Sequence, residues 1–192
     1  MGQFIPPEVS SAVATLSAAR QDALPTSAAR RARVAFFLAT WAVGSWLGLL
    51  LLELGLVTPS DKDIWRASLT AISVLSGFMI ATMLFTGKVD VAKSLSLSEL
   101  RDVTLKSNYL LLYQLGTLLN HFSCLLLMLL IPSVNLRWPS VAPSVAVAGC
   151  GLFFVSLVRS VFIPLQIIEI HRFTHAALLR EKRDEAGNTE HI

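Results

Sequence analysis

The residues best suited to chemistry lie in one apolar stretch, Asn108–Ile131, which reads NYLLLYQLGTLLNHFSCLLLMLLI. Its polar side chains recur at spacings of three and four residues, so a helix would gather them on one face. Leucine fills most other positions, and hydrocarbon cannot satisfy polar groups, so this face is expected to meet protein or water. We call it the polar stripe; its residues are Gln114, Thr117, Asn120, His121 and Cys124.

Two roles are open for the polar stripe. It can form hydrogen bonds between helices, worth about 0.6–2 kcal/mol each, or it can line a pore or vestibule in an oligomer. His121 adds a third possibility, because an imidazole can change its charge near about pH 6–7. The residue types alone do not decide among these roles.

Charged and metal-binding side chains are sparse in the apolar runs. Glu53 and Arg159 are the two formal charges well inside them, Glu53 expected near the outer leaflet and Arg159 towards the inner one, so we expect no ion pair within one subunit. His171 and His175 stand one helical turn apart and could meet one metal ion. No third ligand follows them, so they stay a candidate pair and no metal site is predicted.

Catalytic motifs do not appear. The sequence contains no HExxH, no GxSxG, no glycine-rich phosphate loop and no cluster of carboxylates. Cys124 and Cys150 match no redox or zinc spacing. We therefore expect a protein that is not an enzyme and that holds no cofactor.

Composition explains why the chemistry is sparse. Apolar residues make up 54% of the chain and charged residues 15%, against about 25% charged in ordinary soluble domains. Four runs are long enough to cross a bilayer as helices, which predicts an all-α, integral membrane four-helix bundle. The predicted spans are 34–57, 64–85, 108–131 and 141–168.

The parts outside the spans define the domain organisation. Residues 1–33 are expected to form an N-terminal segment, in which Glu8–Arg20 is either a short amphipathic helix or part of a weakly ordered tail. Residues 34–170 are expected to form the transmembrane domain and residues 171–192 a basic tail. Before the third span, Ser96–Glu99 has the form of a capping box. One helix is therefore expected to begin near Leu97 and run unbroken into the third span. Pro132 should end that span and Pro164 should kink the fourth.

Small residues mark two faces for helix packing. Gly44 and Gly48 form a GxxxG motif in the first span, and Ser73, Gly77 and Ala81 recur every four residues in the second. Such spacings let helix backbones approach closely. We expect both faces to be used when copies of the chain assemble.

The basic residues predict an orientation. Twelve of the sixteen Lys and Arg residues lie before the first span, between the second and third, or after the fourth. The opposite side carries Lys62, Arg66 and Arg137. The positive-inside rule then places both termini and the long loop in the cytoplasm, as in a multi-pass protein of the bacterial inner membrane.

These features together resemble the small four-span membrane components of prokaryotic anti-phage defence systems, such as the Kiwa membrane subunit. The resemblance rests on the four spans, the LSGFMIATMLFTG stretch at Leu75–Gly87 and the helical entry into the third span. It implies a homo-oligomer of the inner membrane that senses or executes an antiviral response with a cytoplasmic protein partner. It assigns no functional residue.

Two functions are therefore expected as alternatives. The first is an oligomeric membrane sensor or effector whose cytoplasmic helices engage a soluble protein. The second is an ion- or solute-conducting pore, or a small carrier, lined by the polar stripe. Both alternatives place the protein in the lipid bilayer. Neither involves direct contact with nucleic acid.

Overall fold

The fold is all-helical. The structure is a computed structural model that describes Ala14, Ala18 and residues 27–86 and 97–189. Within these residues it contains four long helices: α1 (Ser27–Glu53), α2 (Lys62–Thr86), α3 (Leu97–Arg137) and α4 (Ala142–Thr189).

Each of the four helices is long and apolar enough to cross a membrane. The qualifying segments are Arg30–Glu53, Lys62–Thr86, Val103–Arg137 and Ala142–Ile168. Many large apolar side chains on them are exposed, among them Trp46, Phe85 and Leu126. A water-soluble monomer rarely exposes so much apolar surface. The fold is therefore consistent with a multi-pass membrane protein.

Helix α1 ends earlier than predicted. The first span was expected to reach Val57, but the helix ends at Glu53. Gly55 takes a positive φ of 68°, and the amides of Gly55 and Leu56 bond the carbonyls of Leu52 and Leu51 at 3.0 Å each. This is the Schellman pattern, in which a glycine in the left-handed region closes a helix. Because Leu54–Val57 is also apolar apart from Gly55, hydrophobicity alone did not predict that the helix ends before it.

Helix α2 has a clear start. The Asp61 carboxylate accepts the amides of Asp63 at 3.1 Å and Ile64 at 3.3 Å, which is the bonding of an N-cap. The Trp65 indole donates to the carbonyl of Thr58 at 3.1 Å and ties the preceding link to the helix. The link between α1 and α2 is therefore held by specific bonds at both ends.

Helix α3 begins at Leu97 and continues without a break through Val103–Arg137, as the capping-box pattern predicts. Its end differs from the prediction, because Pro132 lies inside the helix, which continues to Arg137. Proline removes one backbone bond and crowds the preceding turn, and here the helix tolerates this near its end. Pro164 likewise lies inside α4, which runs on to Thr189.

The chain divides into two compact units. The main unit comprises Thr26–Thr82 and Gln114–Phe162, and the second unit includes Met83–Tyr113 and Ile163–Ile192. The core of the main unit is built from α2, α3 and α4 and consists of Trp65, Ile72, Cys124, Met128, Ile131 and Ala146. In the second unit the Ser107 hydroxyl donates to the carbonyl of Thr86 at 3.5 Å.

Two predicted segments fall partly or wholly outside the described residues. The amphipathic helix over Glu8–Arg20 lies outside them except for Ala14 and Ala18, which are helical. The basic tail predicted over 171–192 is helical to Thr189 as part of α4.

Candidate functional site

The polar stripe lies inside the main unit. Gln114, Thr117, His121 and Cys124 are 0% exposed and Asn120 is 8% exposed. The outer face of the same helix carries exposed apolar side chains, including Leu119 and Leu126. A helix in lipid is expected to turn its polar face to protein in this way. The stripe is therefore a contact surface between helices of one chain.

His121 connects α3 to two other helices. Its Nδ1 atom lies 3.3 Å from the Ser76 hydroxyl of α2, and its Nε2 atom lies 3.1 Å from the Ser160 hydroxyl of α4. Both serines are also buried, each 7% exposed. One imidazole thus bridges three helices at the centre of the main unit.

Asn120 makes the second polar contact between α3 and α4. Its amide nitrogen donates to the Ser156 hydroxyl at 2.7 Å, and that hydroxyl donates to the carbonyl of Leu152 at 2.9 Å. The donor and acceptor needs of Ser156 are therefore met within the chain, which matters in surroundings without water.

Cys124 belongs to the apolar part of the stripe. It is a free cysteine that packs in the hydrophobic core, with its sulfur 4.0 Å from the sulfur of Met128. A thiol is a weak hydrogen-bonding group and behaves mainly as a small apolar side chain when buried. The stripe is thus polar towards Gln114 and apolar towards Met128.

Arg159 faces α3 from α4. The position that a Cβ atom on Gly116 would take lies 3.3 Å from the Arg159 Nη2 atom, so the missing side chain at Gly116 gives the guanidinium room. Arg159 is half-buried, whereas Glu53 is exposed as the last residue of α1. The two charges inside the apolar runs therefore lie in different surroundings.

The GxxxG face of α1 is covered by α4 of the same chain. A Cβ atom on Gly44 would lie 2.5 Å from the Phe154 Cβ atom, and one on Gly48 would lie 2.5 Å from the Cys150 Cβ atom. Gly151 completes the contact against Trp41 and Ser45 of α1. Gly44 and Gly48 therefore pack closely against a helix, as predicted, but that helix is α4 of the same chain; assembly of copies through this face stays a prediction.

The small-residue face of α2 is open by contrast. Ser73, Gly77 and Ala81 are all exposed, and apart from the adjoining backbone of α2 and the two chain neighbours, no atom of the described residues lies within 4 Å of a Cβ position on Gly77. The Ser73 hydroxyl donates to the carbonyl of Leu69 at 2.8 Å. Among the described residues, no other helix packs closely against Gly77 on this face.

The histidine pair of α4 does not gain a third ligand in the described residues. His171 is exposed, and His175 is helical with its side chain outside the description. Among the residues described, no group of three or more His, Cys, Asp or Glu side chains could hold a metal ion. His171 and His175 stay a candidate pair without a predicted metal site.

The serine partners of the polar stripe were missed from sequence. Ser76, Ser156 and Ser160 had no assigned role, although Ser156 and Ser160 stand one helical turn apart on α4. Serines at that spacing are common in membrane helices, and their hydroxyls usually bond their own backbone. Spacing in the sequence therefore did not distinguish these three serines from serines that bond only their own backbone.

A serine beside a histidine also occurs in hydrolases, but the arrangement here differs. The group opposite Ser160 across the ring is a second serine, whereas a catalytic triad has a carboxylate there. The geometry of the site is that of a hydrogen-bonded contact between three helices.

In the described residues, fold and site define the class of protein as one with four candidate membrane-spanning helices, apolar outer faces and a buried polar stripe. When the chain is compared with known proteins, no protein-family model, no curated protein and no solved structure matches it.

Proposed function

We propose that this chain is a multi-pass protein of the bacterial inner membrane that works as an oligomeric sensor or effector with a cytoplasmic protein partner. The observation that carries the proposal is the burial of the polar stripe within one chain, while the outward faces of the candidate spans are largely apolar. Helices that are joined by buried polar contacts in this way can move together, so a rearrangement at one end of the protein can be transmitted to the other. The resemblance to anti-phage membrane components suggests phage infection as the trigger.

Burial of the stripe favours the sensor or effector over the pore. A pore lined by equivalent faces of several subunits needs that face on the subunit surface. Here His121 and Asn120 bond serines of α2 and α4 in their own chain. Opening a pore along the stripe would first have to break these bonds.

The orientation belongs to the proposal. Basic residues concentrate near the start of α1 and the start of α3. The opposite side carries Lys62 and Arg66, near the start of α2, and Arg137, at the end of α3. This distribution supports cytoplasmic termini. Ser60→Cys and Thr104→Cys test it in intact cells: an impermeant thiol reagent should label the first variant and spare the second.

The proposed partner contact uses the helical segments beyond the candidate spans. Helix α3 starts before Val103, and α4 continues past Ile168 to Thr189. These segments lie on the side rich in Lys and Arg, so a partner with an acidic surface would be attracted to them. Deleting residues 172–192 should then abolish activity and leave the membrane-embedded body intact.

Self-association is proposed through the open face of α2. Gly77 offers space for a second helix backbone, so Gly77→Leu should reduce the particle size in detergent. Ala42→Leu on an exposed position of α1 is the control and should not change it. An unchanged particle size for Gly77→Leu would remove this face from the proposal.

Phage challenge and liposome conductance test the function itself. Phage should form fewer plaques on cells that carry the gene with its genomic neighbours than on cells that carry the 172–192 deletion. In liposomes, His121→Leu should leave the ion flux the same as that of the unchanged protein. Conductance by purified protein that disappears in Gln114→Leu and His121→Leu, with assembly preserved, would instead establish the pore.

A further inference from the structure

The surroundings of His121 contain more acceptors than a neutral ring can serve. The Ser76 hydroxyl donates to the carbonyl of Ile72 at 2.8 Å, and the Ser160 hydroxyl donates to the carbonyl of Ser156 at 2.7 Å. Each hydroxyl has a single hydrogen. When both hydrogens point at backbone carbonyls, both serine oxygens can only accept a bond from the ring.

A neutral imidazole has one N–H donor and one acceptor nitrogen. It can donate to only one of the two serines, and its other nitrogen then faces an oxygen lone pair. A buried acceptor without a donor is costly. The contact is satisfied only if the second serine turns its hydrogen from the carbonyl to the ring.

A doubly protonated ring would satisfy both serines but would place a charge in a buried site. Arg159 of α4 already brings a positive charge to α3, with its Nη2 atom 3.3 Å from the Cβ position on Gly116. The nearby titratable group on the same helix is Cys124, a thiol in the apolar core. A second positive charge has no favourable counterpart in these contacts.

We propose that His121 is a hydrogen-bond switch that couples α2 to α4. In one form Nδ1–H donates to Ser76 and Ser160 donates to Nε2; in the other, Nε2–H donates to Ser160 and Ser76 donates to Nδ1. Changing form moves the hydrogen bond of one serine from its own helix to the ring and that of the other serine from the ring back to its own helix. The switch goes beyond the proposed function by naming a two-state element, and it does not require a partner or an oligomer.

The proposal predicts opposite effects for the two serines. In Ser160→Ala, only the Nδ1–H form keeps the chain of bonds from the ring to Ser76 and on to Ile72. In Ser76→Ala, only the Nε2–H form keeps the chain through Ser160 to Ser156. Each loss should shift the ratio of the two forms by about two- to tenfold, the equivalent of one buried hydrogen bond.

Nitrogen-15 NMR of the full chain in lipid nanodiscs measures this ratio, because protonated and unprotonated ring nitrogens resonate apart. The His121→Gln spectrum assigns the signals by difference. Ser123→Ala is the matched control, since Ser123 lies on the same helix as His121 and donates to the Leu119 carbonyl but is exposed. It should leave the ratio unchanged.

The outcomes are decisive in both directions. Opposite shifts in the two alanine variants support the switch. A ring protonated at both nitrogens at neutral pH, or the same form in both variants, overturns it. If an alanine variant does not fold, Ser76→Cys and Ser160→Cys replace it, because their thiols are weaker donors of similar size and should give the same opposite shifts in smaller measure.

Discussion

The contact between α1 and α4 allows a stability change to be predicted from geometry. In Gly48→Ala, the new Cβ atom would lie 2.5 Å from the Cys150 Cβ atom and 3.1 Å from its sulfur. Carbon atoms at rest are about 3.5–4.0 Å apart, so α1 must move away by about 1 Å. A Cβ atom is fixed to the backbone and cannot turn aside. The movement loosens the whole α1–α4 contact.

Overpacking of this kind costs about 1–3 kcal/mol, so the folded-to-unfolded ratio of Gly48→Ala should fall by about 5- to 150-fold. Gly77→Ala is the control, because that position is open and alanine stabilises a helix by about 0.5–1 kcal/mol relative to glycine. Unfolding is followed by circular dichroism during titration with SDS. Measuring Gly77→Ala at two protein concentrations separates any contribution from association.

A size exchange tests the same contact. Combining Gly48→Ala with Cys150→Gly moves the small residue to the opposite helix, so the double variant should be more stable than the sum of the single changes by about 0.5–3 kcal/mol. Additive effects, or a Gly48→Ala protein as stable as Gly77→Ala, would refute the close packing of α1 on α4.

Three further predictions follow from the described contacts. Asp61→Ala removes the N-cap of α2 and should lower stability by about 0.5–2 kcal/mol, whereas Asp63→Ala, which is exposed, should cost less; equal losses would rule out the cap. Asn120→Ala leaves Ser156 without its donor and should cost about 0.6–2 kcal/mol, measured by the same SDS titration; no loss would contradict that bond. In single-tryptophan variants, brominated lipids should quench Trp46 fluorescence and spare Trp65, since Trp46 is 59% and Trp65 2% exposed; the reverse order would mean that α1 does not face lipid.

Much of the fold could be predicted from the sequence because hydrophobic length is a strong signal. The four candidate spans and the unbroken start of α3 at Leu97 agree with the prediction. Helix ends were less predictable. Gly55 stopped α1 inside an apolar run, and Pro132 did not stop α3, because the local backbone bonding at each position decides the outcome.

The site was predictable in part for a related reason. Helical spacing alone places Gln114, Thr117, His121 and Cys124 on one face, and the structure puts that face inside the main unit. Spacing within one helix says nothing about which neighbour it meets. The partners on α2 and α4, and the occupation of the Gly44 face by α4, depend on how helices distant in sequence pack.

The hydrogen bonds of the hydroxyl groups show why the serine partners of the polar stripe were hard to predict from the sequence. Exposed residues such as Thr70 and Ser123 donate to carbonyls one turn earlier, at 3.0 Å each, and buried Ser76 and Ser160 do the same. This bond hides a polar hydrogen equally well from lipid and from a protein core. Ser76 and Ser160 have a further partner, His121, whose one N–H must be shared. The distinctive feature of the site is therefore that two ordinary serines bond His121, a residue type that is rare inside membrane-spanning helices.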